Sequence, residues 1–377
     1  MTSKERVMKT INHEEPDRVP VGEWGIDHDH VSRIIGHHTY WRNRKDTTLA
    51  LWEGRRDEVV ESLKSDLDEL IDKLDYDVIV VEKVPPKGYK PDDPPRRIAD
   101  GVWEDSAGTV YKYAASNDSI QCMTSAPARE KLTEAQIPTE IGPPDESEYE
   151  LIDYIGDKYG NEKAILCRDI DIYGVLMSPF GGDMSHHLVV SLTAPEEIKK
   201  MYAVGLESNR RLIEHLKAHN VMIAMQGYDF GMNTGCMMNP ASIRELYFPF
   251  MNMVNRDIEA AGMIPFFHCC GNIWDIMDDY VEAGYKGYQS IQESAGMNTR
   301  AVKEMYGKKL TLWTGVQCET LVSGSVSDTE KEVRAGLTYL MPGGGFIFGS
   351  TNSVQYGAKT ENYLRALEVI RAEGVYH

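Results

Sequence analysis

The stretch Phe266-Phe267-His268-Cys269-Cys270-Gly271-Asn272 joins a short, β-prone apolar run, residues 263–268, to a cluster of imidazole and thiol groups. A run this apolar reads as a strand buried on both faces, and polar groups at its C-terminal end mark a parallel sheet whose site lies at that end. The helix upstream agrees. Over residues 240–261, Ile243, Leu246, Tyr247, Phe250, Met251, Val254 and Ile258 recur at three- and four-residue spacing. Asn239 supplies an N-cap before Pro240, and Gly262 a stop. Pro249 lacks a backbone donor and is expected to kink this helix or split it in two.

The same alternation repeats outward in both directions. Candidate strands at 77–84, 164–172, 221–225, 263–268, 287–291, 310–314 and 345–348 alternate with amphipathic helices, the pattern of a (β/α)8 TIM barrel in the α/β class. Seven strands of eight are visible in this way, and the eighth is expected between residues 114 and 164 or as an irregular segment. A doubly wound open sheet is the alternative, but no Gly-x-Gly-x-x-Gly turn follows the first strand. Residues 1–75 read as an N-terminal helical extension, with Ser3 capping a helix over residues 4–12 and a long helical stretch over 47–74. Residues 85–114, rich in Pro and Asp, read as an insertion containing a β-hairpin that turns at Ser106, Ala107 and Gly108. The whole of 1–377 is thus read as one barrel domain.

The chain has 377 residues, 42% of them hydrophobic, and a formal net charge of −19. Its length suits a large buried core. Its acidity argues against a nucleic-acid partner, which needs clustered Lys and Arg. No apolar leader follows MTSKERVMKT, and no run of about 18 apolar residues occurs. A cytoplasmic protein without a membrane span is therefore expected. Six cysteines are too sparse for a disulfide framework. Reduced thiols, some of them ligands, are the expected state.

On an extended backbone His268 and Cys270 share a face, while Cys269 points elsewhere. That pair suits Zn2+, which takes nitrogen at about 2.0 Å and thiolate sulfur at about 2.3 Å and keeps one position open in catalytic sites. The competing reading is a buried thiol beside a satisfied histidine. A third ligand must come from elsewhere. Cys318, just past the strand LTLWTG, leads on chemistry because thiolate is the best zinc ligand available. Asp229 and Asn352 are reachable on the same barrel face. Arg168, Asp169 and Tyr173 crowd that rim, as do Tyr228 and Asp229 after the next strand. A carboxylate beside Arg is an acid, a base or a cation anchor, or equally a structural ion pair. His186 and His187 in SPFGGDMSHHLVV read as solvated loop residues, and the acidic stretch 66–75 as a solvated face. The glycines at 343–345 precede a strand rather than a helix, so they form a tight turn and not a phosphate cradle.

With these residues assembled, the chain resembles the uroporphyrinogen-decarboxylase superfamily. The resemblance runs through Lys4-Glu5-Arg6-Val7 and Glu15-Pro16-Asp17-Arg18-Val19-Pro20. It continues through GYDFGMNTGCMMNPASIRELYFPFMNMV, FFHCCGN, ESAGMNTRAVKEMYGKKLTLWTG and GGGFIFGSTNSV to Glu361-Asn362. It implies a (β/α)8 barrel with a C-terminal cleft and one of two chemistries. Decarboxylases of this kind use no cofactor and hold a polyanionic substrate with an arginine-rich segment after the opening, where this chain has Val21-Gly22-Glu23-Trp24-Gly25-Ile26-Asp27-His28. The methylcobamide-type methyltransferases use a His-x-Cys pair, which His268 and Cys270 match, and work with a corrinoid carried by a separate protein. No Asp-x-His-x-x-Gly motif for binding cobalamin occurs in this chain. Where the coenzyme-M methyltransferases place a third ligand cysteine, the segment GSTNSV offers Asn352.

The resemblance therefore implies a zinc-dependent methyltransferase moving a methyl group between a small methylated substrate, O-demethylation of methoxylated compounds included, and a corrinoid partner. His268, Cys270 and Cys318 are the expected metal ligands. Tyr228 and Asp229 would orient the substrate, and Arg168 and Asp169 would tune charge. Two alternatives stay open: a cofactor-independent decarboxylase and a non-catalytic small-ligand barrel. A homodimer is compatible with the resemblance.

Overall fold

The computed structural model describes residues 1–123, 142, 144–170 and 184–377, of residues 184–186 the backbone alone. Seven strands lie side by side in chain order: Val78–Val81, Ala164–Cys167, Val221–Gly227, Ile264–His268, Gly287–Gln289, Thr311–Val316 and Phe346–Ser350. Every neighbouring pair is parallel. Each lies where the alternation of apolar runs and helices put it, give or take a few residues. The eighth position is filled from the N-terminal side, not from residues 114–164. Val21 bridges Phe348 and Gly22 bridges Val78, both in parallel. Gly22 N donates to Phe348 O at 3.0 Å, and Val78 N donates to Val21 O at 3.2 Å. This segment joins the last strand to the first and closes the (β/α)8 TIM barrel. Pro20 and Gly22 interrupt its apolar run, which is why it does not read as a strand.

Side chains that alternate along the strands fill the interior. Val80, Leu166, Met225, Phe266, Trp313 and Ile347 form this inner core, with Val7 and Ile11 of the first helix joining it. Space for the large rings comes from glycines on adjacent segments. A Cβ on Gly287 would stand 2.3 Å from the Phe266 ring, and one on Gly22 would stand 2.7 Å from Val78 Cβ. A second, larger apolar layer lies between the strands and the surrounding helices.

The helices follow their local chemistry. The first spans Ser3–Ile11 and is capped by Thr2, one residue earlier than expected, because Thr2 and Glu5 satisfy each other's backbone N–H groups in a capping box. Residues 47–74 form two helices, Arg44–Trp52 and Arg56–Leu74. The proline-containing span splits into Pro240–Leu246 and Phe248–Ala260, with Pro249 in the first turn of the second, where a missing N–H costs nothing. Asn239 Oδ1 accepts from Ala241 N at 2.9 Å as the N-cap. The insertion is a four-stranded antiparallel sheet reaching Cys122, larger than the hairpin expected within 85–114, although that hairpin is present between Val102–Glu104 and Val110–Ala114. Glycines 343, 344 and 345 all have positive φ, as a tight turn requires. Asp66 is buried and accepts from Ser62 Oγ at 2.5 Å, so the 66–75 stretch is not wholly a solvated face. Among the described residues no helix is long and apolar enough to cross a membrane.

Candidate functional site

The strand Ile264–His268 delivers His268 to the C-terminal end of the barrel, two residues beyond the inward-facing Phe266. Its Nδ1 meets Gln289 Oε1 in a short hydrogen bond. The Gln289 amide nitrogen in turn donates to Asn352 O at 3.1 Å, which fixes the amide with its oxygen toward the imidazole. Nδ1 therefore carries the proton, and the Nε2 lone pair is left free. That lone pair looks toward Cys270 Sγ at 3.3 Å and Asp229 Oδ1 at 3.8 Å. The thiol receives hydrogen bonds from Asn352 Nδ2 at 2.9 Å and Ser290 Oγ at 3.3 Å. Asp229 Oδ1 also accepts from Cys270 N at 2.8 Å, tying the loop that carries the thiol. Cys269 takes the opposite side, where its sulfur accepts from Phe230 N at 3.3 Å within the outer core.

Burial holds the His268 imidazole below its ordinary pKa, so it is neutral and able to donate its lone pair. Burial, and then the negative charge of Asp229, pushes the Cys270 thiol up to about 12. A thiol in such surroundings becomes a thiolate when a cation arrives beside it. The three donors, one imidazole nitrogen, one sulfur and one carboxylate oxygen, lie within 4.8 Å of one another. With a tautomer locked by an outer amide and a half-exposed carboxylate completing the set, these residues fit a divalent metal of the zinc type.

Cys318, expected as the leading third ligand, is not among the donors that converge within 4.8 Å of one another. It opens the short helix Cys318–Ser323, and its thiol donates to Ser353 O at 3.4 Å. Asp229, one of the alternatives, occupies the third corner. Asn352 touches the sulfur as a hydrogen-bond donor. Tyr228 is buried in the outer apolar layer, with its ring stacked on Phe230. Arg168 pairs with Glu82 rather than Asp169, and its guanidinium lies 5.4 Å from the ring of Trp24. Asp169 accepts from Lys83 N, and burial raises its pKa. His187 is buried on the helix Met184–Thr193 with Nε2 2.9 Å from Tyr247 Oη, so it is not the solvated loop residue expected. Tyr173 and the side chain of His186 lie outside the described residues.

Trp24, Gln289 and Ser290 were missed in the sequence. Trp24 stacks on the His268 ring with centroids 4.7 Å apart. Gln289 had a signal, as a lone amide ending a wholly buried three-residue strand. Two cavities flank the cluster. One of about 290 Å³ is lined by Gln292, Cys318, Thr351 and Asn352, and the other, of about 360 Å³, by Arg42, Arg44, Glu82 and Arg168. The segment around Glu23 and Asp27 is less repulsive to anions than its composition implies. Burial raises the Glu23 carboxyl to about 7, against the lowering effect of its hydrogen bonds from Ser350, and Asp27 is paired with Arg42 at 2.6 Å.

The fold is similar to that of a methyltransferase from Methanosarcina mazei, with a TM-score of 0.68 and 16% identity over 99% of both chains. A xylose isomerase-like TIM barrel protein from Mycobacterium smegmatis in complex with magnesium matches at a TM-score of 0.37 and 13% identity, over 83% of this chain and 89% of the other. No curated protein matches the sequence. Residues 158–373, more than half of the chain, match the uroporphyrinogen decarboxylase (URO-D) family, and the chain belongs to it.

Proposed function

We propose that the chain is a methyltransferase that moves a methyl group between a small methylated substrate and a corrinoid carried by a separate protein. The observation that carries this reading is the convergence of His268 Nε2, Cys270 Sγ and an Asp229 carboxylate oxygen at the C-terminal end of the barrel. The fold shared with the Methanosarcina mazei methyltransferase supports it. In this reading the protein is cytoplasmic and forms one barrel domain. His268, Cys270 and Asp229 would hold zinc. When bound, zinc supplies Lewis acidity that lowers the pKa of a thiol acceptor or polarises the oxygen of a methyl ether. Gln289 holds the imidazole in the tautomer that offers Nε2. Asn352 and Ser290 donate hydrogen bonds to the Cys270 sulfur and so stabilise its thiolate. Trp24 covers the imidazole face and restricts water there.

Methylcob(III)alamin with small thiols as acceptors, and cob(I)alamin with methanol, methylamines or methoxylated aromatics as donors, provide the assay. Transfer should require zinc and vanish in His268→Ala and Cys270→Ala. Full transfer by the zinc-free double variant would sink the proposal. The cavity that Arg44 and Lys83 share with the paired Arg42 and Arg168 is the observation behind a second reading, decarboxylation of a polycarboxylate porphyrinogen. That reaction would proceed without metal or corrinoid and would survive Cys270→Ala.

A further inference from the structure

Apart from the barrel cluster, a second set of metal-type donors sits where two helices meet. The helix Glu150–Tyr159 carries Asp153 and Asp157, and the helix Pro195–Ala218 carries His215, with His219 as its C-terminal cap. His215 and His219 are four residues apart, so they share one face. His215 Nε2 lies 2.6 Å from Asp153 Oδ1, and His219 Nε2 lies 3.7 Å from the same oxygen. One donor atom from each of Asp153, His215 and His219 falls within 4.8 Å of the others.

The surroundings hold these donors in place. His219 Nδ1 is 3.0 Å from Asp157 Oδ1, so Asp157 accepts a hydrogen bond from Nδ1–H and Nε2 faces Asp153. That carboxylate–histidine arrangement is how metal-binding imidazoles are oriented from outside. The rings of His215 and His219 stack with centroids 4.6 Å apart, and Tyr149 packs against His215 at 4.1 Å. The two helices approach closely because residue 156 is glycine: a Cβ there would stand 2.1 Å from His219 O. Asp153, His215 and His219 are partly exposed, which leaves open positions for water.

We propose that Asp153, His215 and His219 bind a divalent transition-metal ion of the zinc class, positioned by Asp157. Two imidazoles and a carboxylate suit zinc, nickel or cobalt far better than magnesium or calcium. Each helix runs into the N-terminal end of its next strand, Ala164–Cys167 or Val221–Gly227, so the site lies at the end of the barrel opposite His268. An ion there joins two helices and acts on stability rather than on chemistry. The inference is independent of methyl transfer.

Zn2+ titrated into the metal-stripped full chain bearing Cys270→Ser, which removes the barrel thiol, tests it by calorimetry and by thermal unfolding. One equivalent should bind and raise the Tm, and both effects should disappear in His219→Gln. Asp157→Asn should weaken binding roughly 10- to 100-fold without removing a ligand. In the chain with Cys270 intact, His219→Gln should remove one equivalent from whatever total is bound, and circular dichroism checks that the fold is kept. Zinc uptake unchanged by His215→Gln together with His219→Gln, or no uptake by the parent, would overturn the proposal and leave the cluster as a histidine–carboxylate ion pair.

Discussion

Gln289 shows how much of the barrel cluster depends on a residue that is not itself a ligand. Its oxygen accepts a hydrogen bond from His268 Nδ1–H, and its nitrogen donates to Asn352 O. Gln289→Leu should leave the fold intact and weaken metal binding at His268 roughly 10- to 100-fold, read by competition with a chromogenic chelator; affinity equal to the parent's would refute the orienting role. Glu23 offers a different residue-scale test. Burial raises its carboxyl from 4.5 to about 7, so the folded chain binds more protons than the unfolded chain between those values. Stability should therefore fall as pH rises from about 5 to 7, by on the order of 3 kcal/mol at most. Glu23→Gln should flatten that slope in urea unfolding at the two pH values, and an unchanged slope would contradict the assignment. Strand parity made the His268–Cys270 pairing legible in the sequence, because a two-residue period puts both on one face. The third corner was not legible, since Asp229 and Cys318 follow different strands and only the barrel's closure decides which lies nearer.

Among the elements, the loop after Ile264–His268 has the tightest constraint. Gly231 and Gly271 cross so closely that a Cβ on the first would stand 2.4 Å from Cys270 O, and one on the second 2.3 Å from Gly231 C. Gly271 also has φ +78. Met232 bridges Asn272 beside this crossing, so the turn after Val221–Gly227 holds the turn that carries Cys270. Gly231→Ala should cost about 1–3 kcal/mol of stability through overpacking and loosen metal binding at the same time. Chemical denaturation with parallel metal titration measures both, and a neutral result in the two would show that the crossing does not position the thiol. The split of the 240–261 helix was legible from Pro249, whose chemistry is local. The segment at Val21 and Gly22 was not, because its strand character exists only through bridges to Phe348 and Val78, partners far along the chain.

For the whole molecule, barrel closure rests on one buried carboxylate. Asp77, fully buried, accepts from Arg6 Nη1 at 2.7 Å, Arg18 Nη1 at 2.6 Å and Val21 N at 2.8 Å. It thereby ties the first helix and the closing segment to the first strand. Asp77→Ala takes the close carboxylate from Arg18 and leaves Arg6 with Asp17 alone, and should destabilise the chain by about 3–5 kcal/mol, seen as a lower denaturation midpoint; a loss under 1 kcal/mol would mean closure is held elsewhere. The central claim is that His268, Cys270 and Asp229 hold a metal in this barrel. Zinc content by elemental analysis of the His219→Gln chain, reconstituted with zinc under reducing conditions, compared with the same chain carrying Cys270→Ser, tests it most directly. The account predicts about one zinc per chain in the first and none in the second. No zinc in either would contradict it and favour metal-free decarboxylation instead.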